Sequence, residues 1–403
     1  MTPSMRQLGW RDGNAVRLLR NGQEFFPALC RAIDGARSSI HLETYIFEPD
    51  EAGRMVLGHL ARACERGVRV RVALDGFGCA LTHPEVARRI REMGGQCRVY
   101  RPEPGWLRRL VPDRNRLRRM HRKTAVIDAR LGFVGGINIV DDFLEEGGGG
   151  RLDAPRFDYA VELEGPIVAD IVHAQDALWV RMGTAGLAAR ASQWRRERHR
   201  LRRIPLPPAA GEVRAAFVLR DNLRFRKTIE GVYLHGIRHA RHEILISNAY
   251  FFPGRRFRRE LSAAAARGVR VRLLLQGRVE YRMQYYATRS LYAQLLAAGI
   301  EIHEYMPSLL HAKVAVTDGY ATVGSSNLDP FSLLLAREAN VVVDDPGFAR
   351  ALQDTLEDAM RAGGRRVEHE AYGRRGLLRR AVDAAAYTLL RMAVALTGQG
   401  RQY

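Results

Sequence analysis

The chain carries one pattern twice, and that repeat limits its fold more than any other feature. The stretch "AIDGARSSIHLETYIFEPDEAGRMVLGHLARACERGVRVRVALDG", ending at Gly76, aligns with "GIRHARHEILISNAYFFPGRRFRRELSAAAARGVRVRLLLQG", ending at Gly277, through the shared "RGVRVR". Each copy reads as helix, β-branched strand, amphipathic helix and a second strand opened by Gly67 or Gly268. That alternation builds a parallel or mixed sheet with helices on its faces. Further on, "MGGQCRVYRPEP" parallels "AAGIEIHEYMP", and "DYAVELEGP" from Asp158 parallels "EANVVVDDP" from Glu338. At 403 residues the chain has room for two units of ordinary domain size. The join falls in the arginine-rich run Trp194 to Arg203 and the "IPLPPAAGE" after it, where prolines end regular structure. Duplicated units are expected to sit about a pseudo-two-fold axis, which brings equivalent edges together.

Between those segments each copy holds a string of polar residues at fixed spacing: "HRKTAVIDARLGFVGGIN" from His121 and "HAKVAVTDGYATVGSSN" from His311. On an extended strand His121 and Lys123 point to one face and Arg122 and Thr124 to the other, and His311 and Lys313 share a face in the same way. Asp128 and Asp318 follow near the strand end. After a return strand, glycine and serine stand where a backbone must approach something closely, and Asn138, Ser326 and Asn327 offer polar groups beside them. Lysine with small residues and an amide describes a phosphate site. One such string alone also fits a satisfied core histidine and a surface lysine; two that keep the same His, Lys, Asp and Asn do not. The second string is one residue shorter between its aspartate and asparagine, and the Asp318-Gly319 hairpin turn absorbs the difference.

Charge narrows the partner. Lysine and arginine number 64 against 44 acidic residues, a net charge of +20, so an anionic partner is expected, either nucleic acid or an acidic membrane surface. With 46 per cent apolar and 27 per cent charged residues the composition is globular. Cys30, Cys64, Cys79 and Cys97 show no metal or disulfide spacing, and Cys30 and Cys64 read as buried thiols. The N-terminal stretch has no apolar core of secretory type, and nothing is long and apolar enough to span a bilayer. A reducing cytoplasm is the expected compartment.

The doubled H-x-K-x4-D with trailing G-[GS]-x-N resembles the phospholipase D superfamily. "WRDGNAVRLLRNGQEFFPALCRAIDGARSSIHLETYIF", "RRMHRKTAVIDARLGFVGGIN" and "ATVGSSNLDPFSLLLAREANVVV" narrow the resemblance to the bacterial cardiolipin synthases of the B type, over about residues 9 to 350. The resemblance implies an α/β fold: a duplicated α-β-α sandwich of two lobes with one shared active site. Repeats over 1–204 and 205–372 are expected, followed by a basic tail over 373–403. His121, Lys123, Asp128, His311, Lys313 and Asp318 form the expected catalytic set, the two aspartates as supports rather than participants. Asn138, Asn327 and Ser326 bind phosphate, and Asp158 and Glu338 resemble the family's histidine-orienting acids. One histidine attacks phosphorus and the other protonates the leaving oxygen, with no metal and no cofactor. Near-symmetric strings do not say which is which; relatives favour His121 as nucleophile and His311 as acid and base. The implied substrate is phosphatidylglycerol, whose phosphatidyl group passes to a second phosphatidylglycerol as glycerol leaves. A phosphodiesterase or nuclease is the alternative. Nucleic acid is the less favoured partner, because small nuclease relatives carry one string per chain. Oligomeric state is left open. The expected place is the cytoplasmic side of the inner membrane, peripherally bound.

Two segments bear on that membrane. The first repeat alone carries the loop "RPEPGWLRRLVPDRNRLRRM", with Trp106, Leu107, Leu110 and Val111 among arginines, which suits an acidic headgroup layer as well as it suits a loop packed on the protein. In the tail, Leu378, Val382, Ala385, Leu389, Met392 and Leu396 form one apolar stripe with Arg379, Arg380, Asp383 and Arg391 off it, the pattern of an in-plane membrane helix. Lying beyond both repeats, the tail is not expected to complete either core.

Overall fold

The computed structural model describes residues 8–102, 118–145, 150–183, 206–221 and 225–396. Trp106, Leu107, Leu110, Val111 and the run from Trp194 to Arg203 lie outside the described residues. The β-branched runs become strands. In the first repeat they are β1 (Trp10–Arg20), β2 (Ser39–Thr44), β3 (Arg69–Asp75), β4 (Gln96–Tyr100), β5 (Lys123–Ile127), β6 (Leu131–Gly135) and β7 (Tyr159–Glu164). In the second they are β8 (Val213–Arg220), β9 (Glu243–Asn248), β10 (Arg270–Gln276), β11 (Glu301–Tyr305), β12 (Lys313–Thr317), β13 (Tyr320–Gly324), β14 (Glu338–Asp344) and β15 (Gly364–Arg366).

Among the described residues these strands make one 15-stranded sheet in the order β15, β11, β10, β9, β12, β13, β14, β8, β1, β7, β6, β5, β2, β3, β4. Leaving out β15, the order reads the same from both ends when each strand is replaced by its counterpart, so the pseudo-two-fold axis passes between β8 and β1. Those two strands pair antiparallel, Trp10 opposite Ala216. β2, β3 and β4 run parallel, as do β9, β10 and β11, while β5 and β12 lie antiparallel to β2 and β9. The C-terminal ends of the parallel strands therefore share an edge with the histidine strings.

Helices cover both faces. Asn21–Asp34, Glu51–Glu65 and His83–Glu92 bury one face of the first repeat; Thr228–His239, Arg255–Ala266 and Tyr292–Ala297 bury the same face of the second. On the other face Ile167–Arg181 and Pro346–Gly363 share one core that crosses the axis, packing Val134, Val161 and Ile171 with Val314, Leu352 and Leu356. Gly67 and Gly268, at φ +81° and +86°, end the helices before β3 and β10 in the left-handed conformation that glycine adopts without a Cβ clash. The four cysteines are free, with Cys64 only half-buried, and burial pushes the Cys97 thiol up to about 12.

The two hairpins absorb the length difference at the expected place. Thr317 pairs with Tyr320 across Asp318 and Gly319, at φ +44° and +96°, whereas Ile127 pairs with Leu131 across one more residue.

The tail departs from expectation. Helix Leu377–Leu396 lies against Arg282–Arg289, and Ala386, Leu390 and Val394 enter the core of the second repeat. Tyr387 tilts onto Phe252 with ring centroids 5.3 Å apart, and buried Asp383 holds Arg375 at 2.8 Å. The tail thus completes a core, contrary to its position outside both repeats. It does so with a second stripe, Ala386, Leu390 and Val394, that runs beside the one first apparent. The stripe first apparent faces solvent: Leu378 is 80 per cent exposed, and Leu389 and Met392 are 55 per cent exposed. Among the described residues no helix is long and apolar enough to cross a membrane.

Candidate active site

His121 and His311 stand just before β5 and β12, where the backbone of one lobe is clamped to the other. The His121 amide donates to the Arg337 carbonyl at 2.9 Å, and the His311 amide to the Phe157 carbonyl at 2.8 Å. Arg337 and Phe157 immediately precede Glu338 and Asp158, so the clamp delivers each acid to the histidine of the opposite repeat. His121 Nδ1 lies 3.0 Å from Glu338 Oε2 and 3.1 Å from the Ser325 carbonyl; His311 Nδ1 lies 2.6 Å from Asp158 Oδ2. An ionised carboxylate only accepts, so each imidazole donates from Nδ1 and carries its basic lone pair on Nε2.

The residue before each histidine is also tethered. Asp75 Oδ2 accepts the Met120 amide at 2.7 Å, and at the matching place Gln276 Oε1 accepts the Leu310 amide at 3.1 Å. Neither was singled out from the sequence, because an aspartate and a glutamine at the ends of β3 and β10 share no recognisable pattern.

Lys123 and Lys313 are 5 and 0 per cent exposed. Lys123 Nζ donates to the His121 carbonyl at 3.0 Å, and Lys313 Nζ donates to that of His311 and stands 4.0 Å from Asp158 Oδ2. Both ammonium groups act on both pairs. Burial, with Lys123 and Lys313 working against Glu338, holds the His121 imidazole below its ordinary pKa. Burial pushes the Asp158 carboxyl up to about 6 against the pull of Lys313 and Lys123. Asn138 and Asn327 are both buried. Asn138 Oδ1 accepts the Ile46 amide at 3.3 Å, which turns its amide donors the other way, while Asn327 Oδ1 makes no hydrogen bond among the described residues. Ser326 is fully buried beside it.

The strings differ where the acids dock. A Cβ on Gly136 would stand 2.4 Å and 2.6 Å from the Asp158 carboxylate oxygens. The equivalent Ser325 instead donates its hydroxyl to Glu338 Oε2 at 2.6 Å and accepts the Ala339 amide at 3.1 Å. The shorter acid comes with glycine and the longer with serine. Tyr45 adds a second asymmetry, lying edge-on to His121 at 4.6 Å with Lys123 Nζ 5.1 Å from its ring centroid; Ala249 takes that place in the second repeat. An aromatic in a strand-like run reads as core, so Tyr45 gave no sequence signal.

Asp128 and Asp318 are not brought to this centre. They lie at the far ends of β5 and β12, where Asp128 accepts the Arg37, Ser38 and Ser39 amides at 2.7–2.8 Å and Asp318 those of Arg241, His242 and Glu243. Partial burial raises both carboxyls, but these amides outweigh it and hold each below the usual carboxylate range. The stabilisation is therefore complete above the unfolded pKa of about 3.9 and is lost as pH falls through the lowered folded value. Asp128→Ala is expected to cost about 1–3 kcal/mol of stability, read by thermal unfolding at neutral pH, and to leave turnover of the folded enzyme within a few-fold of wild type. A collapse of turnover at unchanged stability would return Asp128 to the chemistry.

A family profile described as "Cardiolipin synthase, PLD-like domain" matches residues 29–146 and 233–360. Cardiolipin synthase B of Escherichia coli strain K12 is 39 per cent identical over 391 residues, covering 96 per cent of this chain and 91 per cent of that one. Cardiolipin synthase A of Pseudomonas fluorescens is 32 per cent identical over 364 residues, covering 88 and 70 per cent. Among solved structures, phosphatidylserine synthase of Haemophilus influenzae Rd KW20 superimposes with a TM-score of 0.71 at 15 per cent identity, over 98 per cent of both chains, a likeness of fold.

Proposed function

Because the chain belongs to the phospholipase D-like cardiolipin synthases, we propose that it joins two phosphatidylglycerol molecules into cardiolipin and glycerol by two displacements at one centre. His121 Nε2 attacks phosphorus. The bond from phosphorus to the glycerol oxygen breaks, and that oxygen takes a proton from the His311 imidazolium as glycerol leaves. A hydroxyl of the second phosphatidylglycerol then gives its proton to His311 and attacks phosphorus, releasing His121. Lys123 and Lys313, with amide donors of Asn138 and Asn327 and the Ser326 hydroxyl, hold the non-bridging oxygens.

The observation that carries this reading is the crossed pairing, which makes each histidine depend on the other lobe and turns two strings into one site. Electrostatics supports this division of roles. A nucleophile must be neutral, and burial with both lysines shifts His121 downward against Glu338, which favours its neutral form. A buried carboxyl whose pKa is raised gains most from a cation beside it, which fits Asp158 with the His311 imidazolium. The protein works at a membrane surface, bound peripherally on the cytoplasmic side. The loops after β3 and β10 expose Phe77, Leu81, Val279 and Tyr281 on the same edge as the histidine strings, an apolar lip that suits lipid delivery and exclusion of water. Residues 1–204 and 205–372 act as the paired catalytic repeats and 373–403 as the lipid-facing tail.

Purified protein given phosphatidylglycerol alone is expected to yield cardiolipin and glycerol in equal amounts by mass spectrometry, with or without chelator. Phosphatidic acid as the main product, or cleavage of DNA in a parallel assay, would favour a hydrolase instead.

A further inference from the structure

Beneath the tail helix lies a cavity of about 600 Å³, bounded by the second half of Arg282–Arg289, the edge of the sheet at β11 and β15, and the first turns of Leu377–Leu396. Five arginines line it against three carboxylates. Fully buried Glu304 pairs with Arg289 and, at 2.6 Å, with Arg365; Asp383 pairs with Arg375 at 2.8 Å. Arg366 reaches Glu368 at 3.5 Å with both side chains exposed, and Arg379 is exposed at the mouth. The lining thus carries two positive charges beyond those its own acids balance. Three tyrosines also line it, and its apolar walls include Val279, Leu378 and Val382. They continue outward into the exposed Leu377, 81 per cent, and Leu378, 80 per cent, and along the helix to Leu389 and Met392.

We propose that this cavity is a second, non-catalytic lipid site, which takes the phosphodiester head of an anionic phospholipid while its acyl chains leave across Leu378 and Val382 into the bilayer. A soluble anion would be served by the arginines alone; the apolar mouth merging with an exposed apolar stripe fits a molecule whose other end is hydrocarbon. The proposal rests on the membrane-surface reading above and adds which lipid the tail grips and where. Asp383 and Glu304, by fixing Arg375, Arg289 and Arg365, build the floor, and Arg366, beside Glu368, and Arg379 are the exposed cations open to a headgroup.

The test uses the full chain, Arg366→Ala/Arg379→Ala, which removes the surplus charge, and Val382→Trp, which fills the mouth and leaves charge unchanged. Each is co-sedimented with vesicles of phosphatidylcholine alone or mixed with phosphatidylglycerol, with the thermal midpoint as the check on folding. Both variants are expected to lose roughly tenfold or more of the preference for phosphatidylglycerol vesicles. Loss in the arginine variant alone would mean diffuse surface attraction, and wild-type preference in both would assign the stripe to a protein partner; either overturns the site. Should wild type fail to make cardiolipin on detergent-dispersed lipid, the proposed reaction falls, and the vesicle comparison still decides the cavity.

Discussion

His121→Ala is expected to abolish phosphatidyl transfer, and His311→Ala to lower it by at least ~10²–10⁴-fold, the scale of a positioned acid and base. The difference comes from what each group does. Without His121 nothing accepts the phosphatidyl group, and water or alcohol must attack a phosphodiester that its own charge protects. Without His311 the nucleophile remains, but glycerol must leave as an alkoxide and the acceptor must attack with its proton in place. The two variants therefore differ in what they accumulate. Enzyme quenched in alkali and digested should show a phosphatidyl adduct on the His121 peptide in wild type, none in His121→Ala, and in His311→Ala an adduct that forms slowly and then persists. An adduct on His311 would exchange the roles. Adduct on neither, with inverted configuration at phosphorus, would replace the two-step path by direct displacement.

What the sequence made legible was set by chemistry at short range. The repeat, its strands and the Asp318-Gly319 turn follow from local pattern, and the polar positions of the strings stand out because each recurs while many residues between them differ. What it did not make legible is pairing across the axis. His121 and Glu338 are separated by most of the second repeat, and two near-equal strings give no sign whether each acid serves its own histidine or the other's. The docking difference between Gly136 and Ser325 has meaning only beside the lengths of Asp158 and Glu338. Asp128 and Asp318 stood out by spacing, yet seven residues of extended chain carry them past the opposite end of the strand, on the order of 20 Å from the histidines. In the tail, Ala386 is too small to weigh in an apolar pattern, although it is buried in the same core as Leu390. One continuous sheet through β1 and β8 was equally hidden, since either strand could have closed its own lobe.

The crossed acids lead to the second large effect. Asp158→Asn and Glu338→Gln are each expected to reduce transfer by about 10⁴-fold, the loss known when the carboxylate that orients a catalytic histidine becomes an amide. An amide turned to donate toward Nδ1 stabilises the wrong tautomer, with the proton on Nε2, where the nucleophile needs its lone pair or the acid must be recharged. Because Asp158 holds His311 and Glu338 holds His121, the two variants should behave differently in trapping. Asp158→Asn should leave a slowly formed, persistent adduct on His121, as His311→Ala does, and Glu338→Gln should leave none. Were each acid to serve its own string, the patterns would be exchanged, so one adduct measurement decides the wiring. Length is the remaining control. Glu338→Asp withdraws the carboxylate by a methylene from a histidine already 3.0 Å away. Asp158→Glu pushes a longer side chain against Gly136, where no Cβ fits beside even the shorter one. Neither conservative change should restore turnover, whereas acids acting only through their charge would tolerate both.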